Sequence, residues 1–489
     1  MPLKKLSFTP GIQHDGSRYA SSGSWSEVDK VRFRSGAPEK IGGWQKATSL
    51  PFLGVCRSLK PFTDLNNNYF LGVGTHLKYY IERGGTFNDI TPLRTTIVQS
   101  NPFTTVNGSA TITVTIPNHG AVVNDFVTFT GASAVGGLTL NGEYEIVTVT
   151  NSSVFLITSP LNATSDATGG GSVSAAFQIQ TGLDSTLYGN GWGAGTWGGI
   201  TGSVSFTGSF SGTTLTVSAV ASGTFSGGVG TYTVSVSQTL SSRALTAYSG
   251  TGWGSAATGL VTGQKLRVWS ADNFGQDLVI NPNDGPIYYW SNASGLEVRA
   301  VLLSSVAGAS DVPGVSRQIM VTDQDRKVLA FGCSDIVSGL QDRLLVRWSD
   351  TENPADWTPT ELNSAGGIRI PTGSEFMTAL ETRQEILVWT DAAVHSLRYI
   401  GAPFEYSIAQ IGLTSLLASN GVAAANDMVF WMGTNGFYVY NGRLAGLPCS
   451  VKDYVFNDIN YDQAEKITAG SNMAFNEVWW FYPSADSSE

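Results

Sequence analysis

The sequence predicts an all-β fold, and three observations lead there. Only 13% of the 489 residues are charged, while Gly numbers 57 and aromatic residues reach 11%. Few long charged side chains among many Gly, Ser, Thr and Val suit pleated strands joined by tight turns better than surface helices. A strand–turn–strand pattern recurs along the chain, and a central window almost devoid of basic residues interrupts it.

The clearest copy of the pattern is Tyr69-Phe70-Leu71-Gly72-Val73-Gly74-Thr75-His76-Leu77-Lys78-Tyr79-Tyr80. Met428-Val429-Phe430-Trp431-Met432-Gly433-Thr434-Asn435-Gly436-Phe437-Tyr438-Val439-Tyr440 repeats it. In both, a Gly-Thr segment supplies the bend between two β-rich runs. Weaker copies pair Leu278-Val279-Ile280 with Ile287-Tyr288-Tyr289-Trp290, Val328-Leu329-Ala330-Phe331 with Leu344-Leu345-Val346-Arg347-Trp348, and Ile386-Leu387-Val388-Trp389 with Val394-His395-Ser396-Leu397. Glu477-Val478-Trp479-Trp480-Phe481 ends the series. From Val279 onward the copies recur at roughly 40–50 residues, the spacing of propeller blades, in which stacked sheets bury faces that none could bury alone. The expectation is a β-propeller-like core, with a run of ordinary hairpins in a β-sandwich as the bland alternative.

The window from Thr95 to Gln264 holds one basic residue, Arg243, and removing it brings Phe70 and Val279 into the same period. It reads as inserted material with its own folding logic, small β-barrel or β-sandwich domains. The expected organisation is N-terminal strands and a first blade over 1–94, an inserted β module over 95–182, a Trp-Gly loop with a second β module over 183–264, and the remaining blades over 265–489. Similar Trp-Gly stretches at 189–198 and 248–254 read as one loop split by the second module. Helix is scarce; the best candidate spans 451–459, with Ser450 as its cap.

Nothing offers the run of about 18 apolar residues that a membrane helix needs, and the opening residues lack the apolar core of a signal peptide. Cys56, Cys333 and Cys449 are few, odd in number and widely spaced, which predicts free thiols and synthesis in a reducing cytoplasm. A net charge of −10 argues against gripping nucleic acid through its phosphates. It is compatible with a channel through which DNA slides without sticking.

No catalytic constellation stands out, and no cofactor or metal site is expected. His14, His76, His119 and His395 are isolated, without metal-ligand spacing. Ser349-Asp350-Thr351-Glu352-Asn353-Pro354-Ala355-Asp356-Trp357 resembles the Asp-box turn of sialidase propellers, but has Asn353-Pro354 where that motif wants Gly. It is a structural turn in any case, and an acid pair for a glycosidase is not legible from spacing. The many Trp and Tyr fit blade cores better than a sugar platform.

Near the N-terminus, strand alternation places Lys30, Arg32 and Arg34 on one face and Val31 and Phe33 on the other. Two readings stand: a basic strip contacting an acidic neighbouring subunit, and a solvated edge strand that resists aggregation. The chain ends on Phe481-Tyr482-Pro483, a strand followed by a turn. That leaves either a longer native chain or closure of the propeller by Val31, Phe33 and their neighbours.

The stretch from Asp29 to Trp44, with Trp269-Ser270-Ala271-Asp272-Asn273-Phe274-Gly275, Trp348-Ser349-Asp350 and Gly433-Thr434-Asn435-Gly436-Phe437-Tyr438, resembles tail nozzle or hub proteins of short-tailed bacteriophages, the tail-tubular B type. The resemblance implies a non-enzymatic virion protein, made in the host cytoplasm, that assembles as a homohexameric ring at the tail's end. Its partners would be further copies of itself, tail adaptor proteins, and fibres or a needle. DNA would pass through the lumen without specific binding. The alternative is a tail-associated glycan-binding adhesin or propeller glycosidase.

With every cysteine free, three thiols per denatured chain should titrate with Ellman's reagent in the absence of reductant. A count of one would reveal a disulfide.

Overall fold

The computed structural model describes residues 9–15, 19, 23–46, 48–185, 206–211, 214–220 and 266–488. The chain divides into one compact unit formed by Met1–Asp184 with Arg267–Glu489 and another formed by Ser185–Leu266. Of the second, only an antiparallel hairpin, Phe206–Ser211 with Thr214–Val220, is described. The Trp-Gly stretches expected at 189–198 and 248–254 lie outside the described residues.

The first unit is a five-bladed β-propeller. Each blade is a four-stranded antiparallel meander. Blade 1 runs through Cys56–Thr63, Tyr69–Thr75, Tyr79–Arg83 and Thr86–Asp89, and blade 2 through Trp269–Phe274, Asp277–Pro282, Tyr288–Trp290 and Val301–Leu302. Blade 3 comprises Gln318–Val321, Val328–Phe331, Leu345–Trp348 and Gly366–Arg369. Blade 4 comprises Phe376–Glu381, Ile386–Thr390, Ala393–Gly401 and Glu405–Leu413, and blade 5 Val422–Ala425, Met428–Met432, Phe437–Tyr440 and Leu444–Leu447. The five strand pairs found in the sequence are the second and third of each blade, whereas Glu477–Phe481, expected to end the series, lies outside the five blades in a separate two-stranded sheet.

Side-chain alternation explains the stacking. Leu278 and Ile280 pack toward blade 1 with Phe70, Tyr79 and Ile81, whereas Val279 between them packs toward blade 3 with Val328 and Ala330. In blade 3, Leu329 and Phe331 join Phe376 and Val388 of blade 4. In blade 4, Leu387 and Trp389 join Val429 and Trp431 of blade 5. A strand covered on both faces must be apolar at every position, so these strands read as unbroken hydrophobic runs.

The first strands differ. Residues 58–60, 269–273, 318–321 and 377–381, with Ser419 and Asn420 just before the first strand of blade 5, line one central cavity. Polar side chains join each first strand to the next. The Trp269 indole N–H donates to the Thr75 carbonyl at 2.8 Å, and Lys60 pairs with Asp272 at 2.5 Å, joining blades 1 and 2. Ser270 Oγ and Asp272 Oδ2 accept the Ile319 and Val321 N–H groups of blade 3 at 3.0 and 2.9 Å. The Gln318 amide reaches blade 4 twice, donating to the Ala379 carbonyl at 2.9 Å and accepting its N–H at 3.0 Å. Ser419 donates to the Met377 carbonyl at 2.9 Å, and Asn420 donates to the Arg57 carbonyl at 3.3 Å, closing the ring onto blade 1. Gly74 permits the first of these joints, since a Cβ there would sit 2.8 Å from the Trp269 ring.

Between blades 1 and 2 the chain departs into an eight-stranded, nearly closed antiparallel barrel spanning Leu93–Ser100 to Ser172–Gln178, with a core that includes Phe103, Phe129, Phe155 and Phe177. A buried ion cluster fastens it. Lys78 of blade 1 contacts Asp89 at 2.7 Å and Glu143 of the barrel at 2.5 Å, and Arg299 near the end of blade 2 contacts both carboxylates from the other side.

After blade 5 come a short helix, Lys452–Asp458, and a last hairpin, Thr468–Asn472 with Glu477–Phe481. The helix lies where the sequence places it, but Ser450 is not its cap. The Asp15 carboxylate accepts the Asp453 and Tyr454 N–H groups at 3.0 and 3.3 Å, while the Ser450 hydroxyl bonds the Ile12 carbonyl. Any acceptor held over the first turn satisfies those orphan donors, and a distant segment provides it here.

Replacing Gln318 with Ala leaves the Ala379 N–H and carbonyl without their partner and should cost about 1–3 kcal/mol. Trp431→Ala empties a blade seam and should cost about 3–5 kcal/mol. Urea denaturation measures both, and a Gln318→Ala midpoint equal to the parent's would show that the tie is not needed.

Candidate functional site

Two regions gather groups that the fold alone does not require. One is the central cavity with its neighbour, and the other is the face built from the two chain ends.

The central cavity has a volume of about 420 Å³. Its ionisable lining is Lys60, Asp272, Arg317, Asp323 and Glu381. Lys60 and Asp272 neutralise each other, and Arg317 is held by Asp284 and Glu375 at 3.0 and 3.3 Å. Asp323 and Glu381 also line a second cavity of about 470 Å³, walled by Tyr399, Tyr406 and the 382–386 turn, so the pair stands where the two cavities meet. The Asp323 N–H donates to Glu381 Oε1 at 3.1 Å. Burial, with the nearby charges of Asp323, Asp272 and Asp325 against one backbone donor, pushes the Glu381 carboxyl up to about 7. Behind the second cavity the fully buried Lys327 is held by Glu405 at 2.5 Å and Asp325 at 3.6 Å, and Asp325 also takes the Tyr406 hydroxyl at 2.8 Å.

The Asp-box-like turn holds structure together. Asp350 Oδ1 accepts the Ser364 N–H and hydroxyl at 2.9 and 2.7 Å. Asp356 accepts the Ser310 hydroxyl at 2.5 Å and the Asn363 amide at 3.0 Å, and the Ser310 and Asn363 bonds hold its carboxyl below the usual range. The histidines are equally local. His76 Nδ1 accepts the Val55 N–H, His119 is buried against Phe155 and Phe177, His14 lies against Tyr454, and His395 is buried in blade 4. Among the described residues no three His, Cys, Asp or Glu side chains converge as a metal site.

The N-terminal hairpin, Val31–Arg34 with Ala37–Lys40, packs against the C-terminal hairpin. Arg32 is 9% exposed, 3.4 Å from Glu477 and 3.5 Å above the Phe475 ring. The expected strip is uneven in exposure: Lys30 precedes the strand with φ 56° and its exposed ammonium pairs with Asp29 at 3.6 Å, while Arg32 is buried against the C-terminal hairpin. Arg34 stays exposed beside Phe475. Trp44 is 85% exposed and contacts Trp479 and Phe481 at 5.9 and 6.4 Å between ring centres. Phe481, beside it, is 51% exposed, and Met473 in the turn of the C-terminal hairpin is 65% exposed. Sequence reasoning found the cations and missed Trp44, Met473 and Phe481, because only folding brings the ends together.

Because the native state holds a proton on Glu381 that the unfolded chain releases near its ordinary value of 4.5, this residue lowers stability as pH rises from about 4.5 to about 7. Glu381→Gln removes that loss. The variant should gain on the parent by about 1 kcal/mol at pH 8 and by nothing at pH 4, read from paired melting curves; an equal difference at both pH values would contradict it.

No family model matches this chain, and no curated protein matches it in sequence. Matching solved structures include the endosialidase of phage phi92, at TM-score 0.20 and 11% identity, covering 86% of this chain and 56% of that one. The extracellular domain of a hybrid two-component system from B. thetaiotaomicron matches at TM-score 0.26 and 11% identity, covering 85% and 62%. PorZ, a surface component of the type-IX secretion system of Porphyromonas gingivalis, matches at TM-score 0.27 and 10% identity, covering 89% and 63%. The chain thus spans less than two thirds of each of these structures, and scores this low carry no argument about function. Among the described residues no helix is long and apolar enough to cross a membrane.

Proposed function

We propose that this chain is a non-enzymatic structural protein of a short-tailed phage tail, building a homohexameric ring that serves as the distal nozzle for DNA retention and ejection. The observation that carries the reading is the surface made by the two terminal hairpins. It leaves Trp44, Met473 and Phe481 exposed, together with the exposed Lys30 and Arg34. Aromatic residues, Met and Arg are the types enriched where proteins meet, and an apolar patch with a charged rim is what a subunit contact needs.

Rigid blades would form the wall of the ring, and each copy's terminal hairpins would bind the acidic flank of the next. The net charge of −10 lets DNA traverse the lumen without counterion-release binding. Adaptor proteins above and fibres or a needle below would complete the tail.

Negative-stain electron microscopy of the purified protein should show six-fold rings with propeller lobes around a central channel. The double variant Lys30→Glu, Arg34→Glu should leave folded monomers that still melt in one cooperative transition, at a temperature no longer dependent on protein concentration. Monomers of the parent at every concentration, or a trimeric spike, would overturn the nozzle reading.

A further inference from the structure

We propose that the paired cavities meeting at Asp323 and Glu381 bind an uncharged oligosaccharide, with one sugar unit on the propeller axis and the next against Tyr399. This goes beyond the nozzle reading and does not rest on ring assembly.

Size comes first. Cavities of about 420 and 470 Å³ each fall within the range of small-ligand sites, and their shared wall at Asp323 and Glu381 makes them neighbouring compartments. Their hydrogen-bonding groups are of both kinds. Arg317 lines the axial cavity at 8% exposure, and its buried Nε–H has no hydrogen-bond partner. Asn283 Oδ1, in the same wall, is a buried acceptor without a donor. Glu381 Oε1 takes one backbone N–H, and the Asp323 carboxyl is exposed. A site offering an unmet donor, an unmet acceptor and carboxyl oxygens suits a ligand whose groups both donate and accept, and sugar hydroxyls do both.

Charge narrows the choice. The cations of the axial cavity are already neutralised, Lys60 by Asp272 and Arg317 by Asp284 and Glu375. Asp323 and Glu381 remain, so a phosphate or a carboxylated sugar would meet like charge. The second cavity adds aromatic faces. Tyr399 is 37% exposed and is supported from behind by the buried Tyr406, which packs edge-on against it with its hydroxyl on Asp325. An aromatic ring fixed in place can cover the apolar face of a sugar. A bare metal ion is a poorer occupant, because no three ligating side chains converge among the described residues.

The test uses the full-length chain with cellotriose, maltotriose and chitotriose as uncharged probes and sialyllactose as the anionic one, followed by saturation-transfer NMR and calorimetry. At least one uncharged trisaccharide should bind at one per chain and outcompete sialyllactose. Asp323→Ala and Glu381→Ala should each weaken binding at least ten-fold, and Glu381→Gln, which keeps the shape and the hydrogen bonding, by less. Melting curves of each variant separate lost binding from lost folding. Absence of signal from all three uncharged probes, preference for sialyllactose, or binding indifferent to both Ala variants would overturn the proposal. Ring formation by the same samples reports on the nozzle reading separately.

Discussion

The propeller depends on how its five first strands are held to one another around the axis. Adjacent blades diverge from the centre, so these strands cannot extend one continuous sheet, and their outward N–H and C=O groups need other partners. Side chains supply them: Ser270 and Asp272 toward blade 3, Gln318 toward blade 4, Ser419 and Asn420 across blade 5 to blade 1. Each tie is a short polar group substituting for a missing strand. Their geometry sets the spacing of the blades, and that spacing determines how the apolar seams outside them can pack.

Once the axis is set, the seams follow from the two-residue period of a strand. Neighbouring residues on the second strand of a blade belong to different seams, as Leu278 and Val279 do, so blades 2, 3 and 4 are each bonded to both neighbours by the same stretch of chain. The inserted barrel interrupts the chain without disturbing this arrangement, because it leaves after blade 1 and is tied back by charges from blade 1, blade 2 and the barrel itself. Removing Glu143 alone would cut the barrel's link to Lys78 and Arg299 while leaving both on Asp89, so the cluster acts as a specific fastener more than as a source of stability.

Against that background Asp323 and Glu381 stand out. Most polar groups near the axis are consumed by blade-to-blade ties, and the acids of the Asp-box-like turn are consumed by local hydrogen bonds. These two keep carboxyl oxygens turned to the cavities, and Glu381 is raised chiefly by burial, with the acids brought near it from blades 2 and 3 adding to the effect. The terminal hairpins offer a parallel case at the periphery. Arg32, buried against Glu477 and Phe475, joins the ends, while Trp44 and Arg34 touch the same hairpin yet stay exposed, which leaves part of each side chain available for a partner.

What the sequence by itself determined is the all-β class and the recurring blade pattern. Both depend on local physics: β-branched and aromatic runs and Gly-bearing turns such as Gly74-Thr75. The second and third strands of each blade were legible because burial on both faces makes them uniformly apolar. The first strands were not, because Ser270, Asp272 and Gln318 mix polar groups into them for ties that exist only between blades. Only the tertiary structure decided that Asp15 caps the helix, that Arg32 faces inward, and that Asp323 meets Glu381. Each joins residues from separate parts of the chain, and no local pattern encodes a contact whose partner is chosen by the closure of the ring.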